Sequence, residues 1–130
     1  MDKGVHFIIG EGVFAIYSVF FWAITSIPLG TIFWGFIGAG IGSALPDLIE
    51  PAYNYTHRSV FHSRKVLKYS EVGFFITALF GFLMGVIYLF SNSTPFYYLF
   101  SYSYLISCFL LGYMVHLMAD STTKMGLPDV

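Results

Sequence analysis

A chain of 130 residues has the length of one domain, but 57% of it is hydrophobic, 21% aromatic and 10% charged, against roughly 25% charged residues in an ordinary soluble domain. Six basic residues against seven acidic ones give a net charge of -1, which excludes the basic surface of a nucleic-acid-binding protein and the charge excess of a disordered one. The single cysteine, Cys108, lies in an apolar run and has no partner for an intramolecular disulfide, so it reads as a small packing residue.

The distribution of charge turns this composition into a fold. Residues 12–46 and 72–119 contain no Asp, Glu, Lys or Arg. A hydrocarbon core about 30 Å thick takes roughly 20 helical residues, so each stretch holds two spans. Turn chemistry divides them at Ser26-Ile27-Pro28-Leu29-Gly30 and at Ser91-Asn92-Ser93-Thr94-Pro95. The sequence therefore predicts an all-α, multi-pass membrane protein, one integral membrane domain over residues 1–130, with four transmembrane helices at about 5–27, 29–45, 72–90 and 96–118. The first reads as a retained span rather than a signal peptide, because Met1-Asp2-Lys3 carries no net positive charge and the apolar run outlasts the roughly 7 to 15 residues of a signal. The second carries Gly35, Gly38, Gly40 and Gly42, a pattern for close helix packing.

Four spans put both termini and the polar segment from Asp47 to Glu71 on one side. Lys3, Arg58, Arg64, Lys65, Lys68 and Lys124, all six basic residues, are on that side. The positive-inside rule makes it cytoplasmic.

The remaining polar groups fall at the same depth: His6 at the start of the first span, Asp47 and Glu50 past the end of the second, His57 and His62 in the polar segment, His116 and Asp120 at the end of the fourth. Asp47 and Glu50 at i, i+3 and His116 and Asp120 at i, i+4 each share a helical face if the helices continue that far. A lone histidine or carboxylate at a span end is commonly an interfacial or snorkelling group. Four segments converging at one depth are less ordinary, because ionisable groups near a membrane interior are costly and tend to face a cavity. This mixture of imidazoles and carboxylates suits a divalent metal, zinc foremost, with manganese or iron as alternatives. Glu11 lies five residues beyond His6 and is read as a deep ligand, a proton acceptor or the partner that orients a histidine.

Ala44-Leu45-Pro46-Asp47-Leu48-Ile49-Glu50-Pro51, then His57-Arg58-Ser59-Val60-Phe61-His62-Ser63, then Gly112-Tyr113-Met114-Val115-His116-Leu117-Met118-Ala119-Asp120, with Thr123 and Gly126 beyond, resemble the YdjM-like family of membrane-bound metal-dependent hydrolases. That family's pattern is LPDxD, HRGxTHS and GxxxHxxxD, followed by a Thr and a Gly. The resemblance covers nearly the whole chain, including the early histidine, His6. Two departures stand out. The second acid of LPDxD comes one residue late, as Glu50, and Ser59 and Phe61 replace the Gly and Thr of HRGxTHS. More remotely, the family is similar to zinc-dependent phospholipase C and related nucleases.

The resemblance implies a metal site held by His6, Asp47, Glu50, His57, His62, His116 and Asp120, and hydrolysis by water activated on the metal. Glu50 is alternatively a base, and Arg58 a clamp for an anionic group such as phosphate. A site at the cytoplasmic interface meets membrane lipids by lateral diffusion, so a phosphoester in a lipid or another amphiphile is the expected substrate. Two other readings use the same residues: a metal-binding or transport protein without turnover, and a structural membrane subunit. Transport fits the placement poorly, because a permeation path needs polar groups near the midplane. The oligomeric state is left open.

Overall fold

A computed structural model describes residues 3–50, 60–122 and 127–128, with the backbone alone at residues 3, 4 and 6. Four helices make up the described chain: α1 (Lys3–Thr25), α2 (Leu29–Ile49), α3 (Arg64–Ser91) and α4 (Thr94–Ser121). All four are long and apolar enough to cross a membrane, and the described residues contain no strand. This is a multi-pass integral membrane protein.

The turns form where the sequence places them. Ser26 and Asn92 take left-handed backbone conformations, with φ of 51° and 48°, and their amides close the preceding helices onto Trp22 O at 2.9 Å and Tyr88 O at 2.8 Å. Pro28 then caps α2 and Pro95 occupies the first turn of α4, where a missing amide costs nothing.

Three helices are longer than the sequence reading gives them, α4 by two residues at its start and three at its end, and α2 and α3 by more at one end. α2 runs through Pro46 to Ile49 instead of stopping at Leu45. Proline removes one amide bond, and the helix resumes behind it with Glu50 N–H on Pro46 O at 2.9 Å. α3 starts at Arg64 rather than Val72, its first turn capped by the Ser63 hydroxyl, which accepts from Val66 N–H at 3.2 Å. The charged residues 64–71 bound the hydrocarbon, not the helix.

α4 is the axis of the bundle. It packs on α2 and α3 along its length and on α1 more briefly, while α2 and α3 make no contact with each other. Burial runs opposite to hydropathy: α3, the most apolar helix, is the least buried and α4, the least apolar, the most. Lipid is at least as apolar as a protein interior, so the polar side chains are the ones that turn inward. Tyr17 and Ser107 share a hydrogen bond of 2.6 Å, and Ser18 and Tyr104 one of 2.7 Å. They tie α1 to α4 around the stacked rings of Tyr17 and Tyr104.

The α2–α4 seam is closer than side chains allow. A Cβ at Gly42 would overlap the carbonyl oxygen of Phe109, and one at Gly112 that of Ala39. Gly42→Ala and Gly112→Ala are therefore each expected to destabilise the bundle by about 1 to 3 kcal/mol, the range for overpacking. Gly12→Ala, where nothing lies within 4 Å, is expected to be neutral or to stabilise by up to about 1 kcal/mol through helix propensity. Thermal unfolding in detergent measures the contrast, and equal effects at Gly12 and Gly112 would refute the seam.

Candidate metal centre

The seam delivers two ligating side chains to one end of the bundle. Asp47 lies five residues past Gly42 on α2 and His116 four past Gly112 on α4, so each is displaced by about one turn from a point of backbone contact. His62 comes from outside both helices. It sits in the short segment before α3 and is held there from three directions. The Tyr113 hydroxyl donates to Phe61 O at 3.0 Å, Phe61 N–H donates to Glu50 Oε1 at 3.2 Å, and Arg64 N–H donates to Pro128 O at 3.0 Å. Leu127 is buried beneath this segment with Tyr113 and Leu117, against Leu45, Val66 and Leu67.

Asp47, His62 and His116 each offer one ligand atom, all within 4.8 Å of one another. Asp47 Oδ1 is 3.4 Å from His62 Nε2 and 3.7 Å from His116 Nε2. Asp120 Oδ2 stands 3.7 Å and 3.6 Å from the same two nitrogens. These separations exceed the roughly 2.7 to 2.9 Å of a charge-assisted hydrogen bond. They are close to the spacing of ligands around one ion, since four donors at about 2.0 to 2.1 Å in tetrahedral geometry stand roughly 3.3 to 3.4 Å apart. Among the described residues the buried His62 Nε2 makes no well-formed hydrogen bond and has the Asp47 and Asp120 carboxylates beside it. Asp47, His62 and His116 thus fit a divalent metal, with Asp120 beside both imidazoles; the donor set does not identify which metal.

Glu50 engages His62 from behind. Its Oε2 is 3.1 Å from His62 Nδ1, the ring nitrogen opposite the cluster. A proton on Nδ1 donated to Glu50 fixes the tautomer that presents the Nε2 lone pair to the metal. The Glu50 carboxylate thus stands on the side of the His62 ring away from Nε2.

His62, His116 and Asp120 are 1%, 1% and 2% exposed, whereas the Asp47 side chain is 24% exposed. Access among the described residues is therefore past Asp47. Burial opposes a charged His62, but the carboxylates of Asp47 and Glu50 and the charge of Asp120 outweigh it, so the imidazole titrates above its ordinary range.

Glu11, the remaining acid of the sequence reading, is not in the cluster. It faces Gly40 on α2, and Gly40 is seven residues, or about 10 Å, inward from Asp47 along that helix. His57 and Arg58 lie outside the described residues, as do Thr123, Gly126 and the side chain of His6. The backbone register does put position 6 at the polar end: Gly10 packs beside Ser43, and one turn further on each antiparallel helix lie residues 6 and 47.

Sequence reasoning missed Tyr113 as the anchor of the His62 segment. Its signal was available, since 113, 116 and 120 share one face of α4 at i, i+3 and i+7. Among known proteins, no family model, no curated protein and no solved structure matches this chain.

Three outcomes follow for purified protein titrated with zinc. Asp120→Asn and Glu50→Gln are each expected to weaken binding by about 10- to 100-fold without unfolding the protein. Glu71→Gln, in the charged first turns of α3, is expected to do nothing. In the metal-free protein the raised His62 value means stability that is present below the unfolded-state value, about 6.5, and is lost as pH rises through the folded one. Zinc competes with that same proton, so its affinity is expected to climb across the interval in which the metal-free protein loses stability. A pH-independent affinity would remove His62 from the ligand set.

Proposed function

We propose that this protein is a membrane-embedded, metal-dependent hydrolase of the YdjM-like family, working at the cytoplasmic face on a phosphoester of a lipid or another amphiphile. The observation that carries the reading is the donor set itself: Asp47, His62 and His116 with ligand atoms within 4.8 Å of one another, Asp120 beside both imidazoles and Glu50 on the far nitrogen of His62. The elaboration of an orienting carboxylate behind a ligating histidine is what a site with demanding geometry requires. A divalent ion bound there, zinc by preference, supplies a water acidified toward neutrality and a Lewis acid for the scissile group.

The chain's own residues do the rest. Glu50 keeps the His62 ring in register through Nδ1, and Tyr113 keeps its backbone in place. Burial of both imidazoles and Asp120 excludes competing water from all but the Asp47 side. A substrate therefore reaches the cluster past Asp47 at the bundle end, the depth of lipid head groups. Arg58 is assigned the role of clamping its anionic group, by the family pattern rather than by position.

The cytoplasmic assignment rests on all six basic residues falling on the side of the termini. Reporter fusions at residue 130 and beside Ser93 are expected to report opposite compartments, the former cytoplasmic. For the activity, protein reconstituted in phospholipid vesicles is expected to release a phosphorylated or dephosphorylated head group in a zinc-dependent manner, and Asp47→Asn to lose both zinc and turnover. Full zinc occupancy with no hydrolysis of any phospholipid class would leave a non-catalytic metal-binding protein; no zinc binding at all would leave a structural subunit.

A further inference from the structure

Glu11 is an acidic residue inside a membrane span that the metal centre does not use. Both of its carboxylate oxygens are buried, and neither has a hydrogen-bond partner among the described residues. Oε1 lies 3.2 Å from where a Cβ at Gly40 would stand, with the Phe7 ring at 3.3 Å from the same point. The absent side chain at Gly40 is thus the space the carboxylate occupies between α1 and α2. The nearest hydroxyl on that stretch of α2, Ser43, is committed to Gly40 O at 2.9 Å. α2 contributes no ionisable side chain at this level.

These surroundings select a ligand. A metal ion taken from water needs several oxygens to replace its hydration shell. Here a single carboxylate lies beside a glycine and an aromatic ring. A bare carboxylate at this depth, with no donor to stabilise it, is strongly disfavoured. The one species that removes the charge without further ligands is a proton. We propose that Glu11 is a proton-binding site within the membrane, separate from the metal centre, whose neutral carboxyl holds α1 against α2 at Gly40. The site is independent of the hydrolase reading and stands or falls without it. Loss of the proton leaves a charge about 10 Å inward from the level of Asp47, so ionisation works to part α1 from α2.

A hydrophobic carbodiimide tests this directly, because it reacts with protonated carboxyls that water-soluble reagents do not reach. The carboxyl proton goes to one nitrogen of N,N'-dicyclohexylcarbodiimide and the carboxylate oxygen to its central carbon. Migration of the acyl group to nitrogen then leaves a stable N-acylurea carrying the whole reagent, with nothing oxidised and nothing expelled. In wild-type protein in phosphatidylcholine vesicles at neutral pH, with zinc present to occupy the metal centre, peptide mass spectrometry is expected to find the adduct on Glu11 and none on Glu71. Glu11→Gln is expected to abolish it while leaving zinc stoichiometry at the wild-type value. Absence of the adduct in wild type overturns the proposal, as does its persistence in Glu11→Gln. Protection of Glu11 by sodium or zinc ions would show a metal cation as the ligand and overturn it equally; a fall in zinc stoichiometry in Glu11→Gln would join Glu11 to the metal centre and end the claim of separateness.

Discussion

The backbone contact between α2 and α4 is the constraint on which the site depends. At Gly42 against Phe109 and Gly112 against Ala39, main chain meets main chain. In lipid there is no hydrophobic force to draw helices together, so close packing and weak Cα–H···O contacts supply the association. Backbone contact is also stiff, because it has no side-chain rotamers to relax. With the two helices locked at that level, Asp47 and His116 emerge one turn later from positions that neither helix can adjust independently. The same closeness explains the division of labour in the bundle: α4 is held on both flanks, and α1 completes a third side with hydrogen bonds from Tyr17 and Ser18.

The charge balance at the bundle end is the second constraint. Asp47, Glu50 and Asp120 all lie within 3.7 Å of the His62 ring nitrogens. Among the described residues three carboxylates meet two imidazoles, and a cation between them offsets the penalty of several kcal/mol that an isolated buried anion carries. A proton on His62 supplies part of that positive charge, which is why that ring titrates high; a divalent cation supplies more and satisfies both Nε2 atoms at once.

Most of the fold was legible because a bilayer imposes a simple rule, that charges cannot lie within a span, and the charge-free stretches obeyed it. The boundaries at 45 and 72 were misplaced because hydrocarbon thickness and helix length are different quantities. Helical hydrogen bonding continued through Pro46 on one side and through Arg64, Lys65, Lys68 and Glu71 on the other, where the Ser63 cap was the readable signal. Asp47, His62, His116 and Asp120 were legible as a set because span counting fixes their depth. Glu50 was not, because depth says nothing of which ring nitrogen a carboxylate reaches. Glu11 had the residue type of a ligand but the wrong level, and only the helical register separates it from the cluster.

Helix polarity bears on what the site holds. α2 ends at Ile49 and α4 at Ser121, so both bring their C-terminal ends, each equivalent to roughly half a negative charge, to the cluster. Those ends favour a nearby cation by about 0.3 to 1 kcal/mol each and disfavour an anion by as much. The Asp47 and Asp120 side chains stand in the last turns of these helices, where an acid is electrostatically misplaced unless something positive sits beside it. The opposite polarity comes from the N-termini of α1, at Lys3, and of α3, which starts at Arg64 directly after His62 and Ser63. The helices that carry Asp47, His116 and Asp120 therefore favour a cation at the cluster, and the end of the bundle is built first for positive charge.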